Sequence, residues 1–232
     1  MSVKVDVNRS VLEANNEIAE RLRDTWRSRG IFVLNLISSP GSGKTTLLEK
    51  TLEGLKGRIK AAVLVGDVQT DNDARRLAGH GAEVKQIVTG GTCHLEAHMI
   101  EKHLEAVDGE DLELLIIENV GNLVCPTSYD LGEDGKVVLV SVTEGEDKPL
   151  KYPAIFHKAR LALITKTDLA PHLDCDLEEL RRNITAVNGQ IEVLEVSART
   201  GQGMEGWLEW ILTRAAEKRG VAPRESEEGA RA

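Results

Sequence analysis

At 232 residues, with 41% hydrophobic and 29% charged side chains, the chain has the size and make-up of one ordinary globular domain with a small addition at an end, and of neither a disordered nor a fibrous class. A formal net charge of -9 argues against a nucleic-acid partner, which would ask for a basic excess gathered on one face. The apolar runs are too short to cross a bilayer and the N-terminus has no apolar signal core, so a cytoplasmic protein without a membrane partner is expected.

From Ser10 to Arg29, Val11, Ala14, Ile18, Leu22 and Trp26 recur three or four apart, which predicts an amphipathic helix preceding the main fold, residues 1–30 in all. Residues 31–219 then alternate apolar runs with helical stretches. The runs are Ile31–Ile37, Ala61–Val65, Val84–Val88, Leu112–Ile117, Val137–Val142, Leu161–Ile164 and Ile191–Val196. Helices are expected near Thr45–Leu55, Asp71–Gly79, His94–Val107, Pro153–Lys158 and Asp176–Asn188. A last helix carries Met204, Trp207, Leu208, Ile211, Leu212 and Ala215 on one face, suited to packing on a sheet. This alternation predicts an α/β fold with a mostly parallel central sheet and helices on both faces. The tail 220–232 has nothing to bury and is expected to be disordered.

The first run leads into Ser38-Ser39-Pro40-Gly41-Ser42-Gly43-Lys44-Thr45-Thr46 and then a helix, a strand, glycine loop and helix in succession. In that context the backbone N–H groups and the positive end of the helix point at phosphates. Gly41 and Gly43 allow close approach around Ser42, Lys44 neutralises phosphate charge, and the Thr45 hydroxyl is placed to ligate Mg²⁺. Ser38 stands where the motif GxxxxGK asks for glycine, which predicts a slightly strained loop.

The base has to be read elsewhere. Thr165-Lys166-Thr167-Asp168 and Ser197-Ala198-Arg199, each after an apolar run, resemble the guanine motifs NKxD and SAK of GTPases. A carboxylate at Asp168 can accept from both N1–H and the exocyclic amine of guanine, a donor pair adenine lacks. Lys166 would lay its stem along the base and the Ala198 N–H donate to the guanine oxygen. Thr165 in place of asparagine removes an amide that would tie this loop to the phosphate loop, which predicts modest base affinity. An ATP-dependent small-molecule kinase is the rival reading.

The three cysteines, Cys93, Cys125 and Cys175, are an odd number and no disulfide framework is expected. Cys93-His94, read as the start of a helix, and Cys125 both follow strands, where α/β proteins place ligands. Two thiolates and an imidazole suit Zn²⁺ or Ni²⁺ but are too few for a closed tetrahedron, so water or a second copy of the chain must complete the shell. Buried thiols beside a loop histidine are the plainer alternative. His98, four residues after His94, is read as a solvated helix histidine.

Taken together, Ser38–Thr46, GDVQTDNDARR from Gly66, GGTCHLEAHMI from Gly90, ENVGNLVCPTSYDLGE from Glu118, SVTEGEDKPLKYP from Ser141 and TKTDL from Thr165 resemble the HypB family of hydrogenase nickel-incorporation GTPases, over about Ile31 to Trp210. The resemblance implies a GTP- and Mg²⁺-dependent homodimer that governs nickel insertion into a [NiFe] hydrogenase, with Cys93, His94 and Cys125 as Ni²⁺ or Zn²⁺ ligands at the dimer interface. It also implies a nickel-binding maturation partner protein and the hydrogenase large subunit as partners. By the same resemblance Gly66–Thr70 looks like switch I and Glu118-Asn119-Val120-Gly121 takes the place of switch II, which makes Asp67 and Glu118, with Lys44, the catalytic and Mg²⁺ or water-positioning candidates. Lys148 and Lys151 are candidates to reach the nucleotide of a partner subunit. No N-terminal cysteine cluster or histidine-rich stretch is present, so the interface site is the one expected nickel site, and no glutamine or arginine finger is identifiable, so slow turnover is expected. A urease-type nickel GTPase is close in logic, but GGTCHLEAH and ENVGNLVCP fit the hydrogenase version better.

Overall fold

A computed structural model describes residues 2–67, 72–104, 109 and 111–221. Seven strands form one sheet: β1 (Phe32–Ser38), β2 (Ala61–Asp67), β3 (Glu83–Val88), β4 (Leu114–Glu118), β5 (Gly135–Ser141), β6 (Leu161–Thr165) and β7 (Glu192–Val196). Their order is β3-β2-β4-β1-β5-β6-β7 and every pairing is parallel, so the apolar runs find one another as the alternation with helices demands.

Side chains alternate between the two faces, and both faces are buried along the inner strands, while the edge strands β3 and β7 are only partly covered. On one face Leu34, Leu36, Val63, Leu114, Val137 and Leu161 meet α2 (Lys44–Leu55), α3 (Asn72–Leu77) and α9 (Met204–Arg219). All six apolar residues expected along the last helix are buried there. On the other face Val33, Ala62, Leu64, Leu115 and Ile117 meet α1 (Ser2–Arg29) and α4 (Ala97–Glu101), while Val138, Val140, Ala162 and Ile164 meet α7 (Pro153–Lys158) and α8 (Leu177–Val187). Two short helices, α5 (Cys125–Ser128) and α6 (Lys148–Lys151), were not foreseen from the sequence. Each is one turn started by a proline, too short to show a periodicity.

Three expectations change. The first helix does not merely precede the fold: Asn15, Ala19, Leu22 and Trp26 are buried on the domain, whereas Val11 is 42% exposed. The inward face is therefore set one residue off the apolar pattern and includes a polar side chain. The helix foreseen over His94–Val107 begins only at Ala97, because Glu96 is in extended conformation at its N-cap. Cys93 and His94 thus lie in a loop; residues 105–108 fall outside the described residues, as do 222–232 of the expected tail.

α1 docks through a close approach at Gly132, which has φ 78°. A Cβ there would lie 2.8 Å from the Ala19 carbonyl and 2.8 Å from Leu22 Cβ. Gly132→Ala is expected to cost roughly 1–3 kcal/mol, a fall in Tm of several degrees. Gly206→Ala, within α9 with nothing within 4 Å of the added carbon, should act in the opposite direction through lower unfolded-state entropy. Thermal unfolding of the two variants checks both signs.

Candidate functional site

The C-terminal ends of the strands carry the candidate residues, at the edge where parallel α/β sheets bind ligands. β1 runs into the loop Ser39–Gly43 and then α2. Gly43 caps that helix at φ 89°, a left-handed conformation that favours glycine and lets the backbone turn under a phosphate. Ser39 to Thr46, Asp73, Arg76, Val120, Gly121 and Lys166 line a cleft of about 620 Å³. Lys44 Nζ donates to Ser38 Oγ at 3.2 Å and lies 4.0 Å from Glu118 Oε1.

Ser38 does not strain the loop as expected. It is the last residue of β1, and among the described residues the one non-glycine residue with positive φ is Lys166. The single Ser42 hydroxyl proton has two acceptors within reach, the Ser39 carbonyl at 2.9 Å and Glu144 Oε1 at 2.7 Å. Burial works against ionisation of Glu144, but the Ser141 N–H and the hydroxyls of Ser39 and Ser42 hold it below the ordinary carboxylate range.

Thr45 Oγ1 donates to Glu118 Oε1 at 3.0 Å. Glu118 ends β4 and is 2% exposed; its Oε2 is buried with no hydrogen-bond partner. A hydroxyl and an orphaned carboxylate oxygen form a hard oxygen set that fits Mg²⁺. Without a cation, burial pushes the Glu118 carboxyl up to about 7, Lys44 opposing and Asp73 reinforcing. Asp67 ends β2, two residues beyond Val65, the register partner of Glu118. The described cleft lining takes in Asp73 and Arg76 rather than Asp67, and residues 68–71 of the switch I segment fall outside the described residues. Sequence reading had also passed over Arg76, which lines the cleft while donating to Glu49 at 2.9 Å and to Thr46 Oγ1 at 3.2 Å.

Beside this cleft, Gly43, Thr46, Leu47, Thr165, Lys166, Asp168, Leu169, Val196, Ala198 and Arg199 line a pocket of about 290 Å³. Ser197 Oγ donates to Asp168 Oδ1 at 2.7 Å, which fixes the carboxylate, while the exposed Arg199 lies 3.7 Å from Oδ2. The tie between this loop and the phosphate loop is not lost. The Thr165 hydroxyl donates to the Ser42 carbonyl at 2.7 Å in a buried bond, doing with Oγ1 what an amide would do. Lys166 Nζ adds a second bond to the Gly41 carbonyl at 2.7 Å. Lys148 and Lys151 pair within their own chain, at 3.1 Å from Glu144 and 2.6 Å from Asp147.

Cys93, His94 and Cys125 come together, their ligand atoms all within 4.8 Å of one another. Cys93 follows β3, and Cys125 begins α5 after β4. The His94 ring lies 4.0 Å from the ring of Tyr129, and its Nε2 lies 3.4 Å from Glu96. Glu96 also faces His98 at 3.3 Å, and His98 is not among the three residues whose candidate ligand atoms converge. The neighbouring Cys125 thiol, with burial, holds Cys93 above the usual thiol range, so binding a soft cation here must displace protons. Cys175 stands elsewhere, and its thiol is pushed up by burial and by Glu146.

One residue joins the two sites. Asn119, next to Glu118, accepts at Oδ1 from the Leu95 N–H at 3.2 Å, and Leu95 follows His94. Asn119 Nδ2 donates to Asn35 at 3.2 Å, and Asn35 donates to Glu133 at 3.3 Å. Glu133 in turn accepts from the Leu131 N–H at 2.6 Å, beyond Cys125 and Tyr129. The one visible sign of this buried chain was a polar Asn35 inside the apolar run Ile31–Ile37.

Residues 32–195 match the family model for the CobW/HypB/UreG nucleotide-binding domain. A hydrogenase maturation factor HypB of Azotobacter chroococcum is 53% identical over 207 residues, 89% of this chain and 68% of that one. The HypB structure from Archaeoglobus fulgidus superposes with a TM-score of 0.82 at 39% identity, over 88% of this chain and all of that one (100%). That of Helicobacter pylori in complex with nickel gives 0.82 at 36% identity, over 92% of this chain and 100% of that one. The family model matched by residues 32–195 and these relatives agree: the chain belongs to the HypB family of hydrogenase maturation factors.

Proposed function

We propose that this chain is a GTP-hydrolysing metallochaperone that binds nickel or zinc on Cys93, His94 and Cys125 and governs nickel insertion during [NiFe] hydrogenase maturation. It acts in the cytoplasm as a nucleotide-linked homodimer, with a nickel-binding maturation partner protein and the hydrogenase large subunit. The observation that carries the reading is the shared segment: Glu118 touches Thr45 of the phosphate loop, and the adjacent Asn119 holds the backbone one residue past His94. A change at the phosphate end is thereby transmitted to the ligand loop. The nickel complex of the Helicobacter pylori relative supports nickel as cargo. Cys93 is exposed and Val124, beside Cys125, is 61% exposed, so a second copy can cover the open side of an unfinished metal shell.

For hydrolysis, Lys44 and the loop N–H groups hold the β and γ oxygens while water attacks the γ phosphorus in line and the bond from that phosphorus to the β–γ bridging oxygen breaks, so that GDP leaves and inorganic phosphate is formed. Thr45 and Glu118 would hold Mg²⁺, which neutralises phosphate charge when bound; Asp67 positions water or ion from the next strand. Arg76 is engaged by Glu49 and Thr46, which accords with slow intrinsic turnover.

The test is a nickel titration with GDP and then with a non-hydrolysable GTP analogue, following stoichiometry and molecular mass. Affinity or dimer population should change with the analogue, and Cys93→Ala should abolish binding. Binding indifferent to both nucleotide and Cys93 would remove the nickel role, and preference for ATP would favour a small-molecule kinase.

A further inference from the structure

Asn15 lies in the middle of α1 and is 5% exposed. Asparagine is a poor mid-helix residue, and a buried amide is costly unless its hydrogen bonds are made. Here both go to other segments. Oδ1 accepts from the Ala97 N–H at 2.8 Å, and Nδ2 donates to the Asp130 carbonyl at 2.8 Å.

Those partners belong to the two stretches that bear the metal ligands. Ala97 comes three residues after Cys93-His94 and opens α4. Asp130 follows Tyr129, whose ring lies against His94, and comes five residues after Cys125. One amide therefore spans the gap between them. Arg23, two turns along α1, grips the Asp130 carboxylate through bonds of 2.7 and 2.6 Å, and Ala19, Leu22 and Trp26 pack in the same apolar cluster as Leu95, Ile100 and Leu131. On the opposite side the two stretches are joined by Asn122 Nδ2, which donates to the Cys93 carbonyl at 3.3 Å.

We propose that Asn15 is a positioning residue for the Cys93, His94, Cys125 centre: it sets the spacing of the two ligand-bearing segments, and through it α1 braces both from outside the ligand set. The inference rests on the reading of those three residues as a nickel or zinc site. Groups that orient ligands from outside the ligand set typically alter metal affinity on the order of 10- to 100-fold when removed. Alanine or leucine would serve helix docking as well; only the amide serves both segments.

The experiment uses the full chain with Asn15→Leu, which loses both bonds, and Asn15→Asp, which keeps the acceptor for Ala97 alone. Nickel affinity and the thiolate-to-metal charge-transfer absorption are measured, with GTP-analogue affinity and Tm alongside. Asn15→Leu should bind nickel at least about 10-fold more weakly with an altered spectrum, its analogue affinity within about twofold of the parent, and Asn15→Asp should fall between. Trp26→Phe, which loosens the same helix elsewhere, should lower Tm and leave the nickel spectrum unchanged. Parental nickel affinity and spectrum in Asn15→Leu would reduce Asn15 to helix docking and end the proposal; if that variant does not fold, the same result in Asn15→Asp ends it. Failure of the parent itself to bind nickel through Cys93 would overturn the metal-site reading and this inference together, a result distinguished by appearing without any change at Asn15.

Discussion

Replacing Glu118 with glutamine should make the metal-free protein more stable above pH 7 while depriving it of stabilisation by Mg²⁺ and nucleotide. The carboxyl is 2% exposed, and burial raises it from 4.5 to about 7 in the fold. The folded state therefore holds a proton that the unfolded chain gives up at lower pH. Between about 4.5 and 7 the folded form binds more protons, so stability falls as pH rises through that window. Its full extent is ~3 kcal/mol at 1.36 kcal/mol per pH unit. Denaturant unfolding of the metal-free parent from pH 4.5 to 8 should show this decline, and Glu118→Gln should flatten it. Added Mg²⁺ with a GTP analogue should restore the parent above pH 7, because the ion takes the charge that burial penalises. The same addition should do much less for the variant. An unchanged pH slope in Glu118→Gln would show that another group carries the titration; full Mg²⁺ stabilisation of the variant would remove Glu118 from the ion site.

How much of this was legible beforehand depends on whether a feature is written in periodicity or in a single hydrogen bond. The five inner strands and the sheet-packing face of α9 follow from runs of Val, Ile and Leu, because a doubly covered parallel sheet needs apolar residues on both faces of each inner strand, whereas the edge strands β3 and β7 mix such residues with Lys85, Gln86, Glu192 and Glu195. The placement of the loop Ser39–Gly43 between β1 and α2, and of Asp168 just beyond β6, follows from short motifs whose residue types are dictated by chemistry. Thr165 misled because the motif names an amide, whereas the fold needs a donor toward the Ser42 carbonyl, and a hydroxyl supplies one. α1 misled because Val11 and Ala14 fit the apolar period, yet the helix is rotated so that Asn15 faces inward. That rotation is decided by what lies beneath the helix, the Ala97 N–H and the Asp130 carbonyl, which no local pattern records. Likewise Asn35, Asn119 and Glu133 are far apart in the chain and become one polar chain only when β1 and β4 pair.

Asp168→Asn is expected to exchange the base preference from guanine to xanthine. Asp168 Oδ1 is already committed to the Ser197 hydroxyl at 2.7 Å, and that bond fixes which way the carboxyl plane faces. An asparagine can keep its Oδ1 on Ser197 and so presents an NH₂ donor where the carboxylate oxygen had been. Guanine offers donors at N1 and at its exocyclic amine, so two charge-assisted bonds are lost and donor then faces donor. At roughly 1.5–3 kcal/mol per bond to a charged acceptor, GTP binding should weaken by about 10²- to 10⁴-fold. Xanthine carries a carbonyl in place of the amine and accepts from the new NH₂, so XTP should become the better ligand. Arg199, its side chain 82% exposed, lies 3.7 Å from Asp168 Oδ2 at the rim of this pocket. Equilibrium binding of GDP, XDP and ADP to parent and variant decides the matter. A uniform loss for every nucleotide would mean that Asp168 supports the loop rather than reads the base, whereas a selective gain for xanthine identifies the 290 Å³ pocket beside Lys166 as the guanine site.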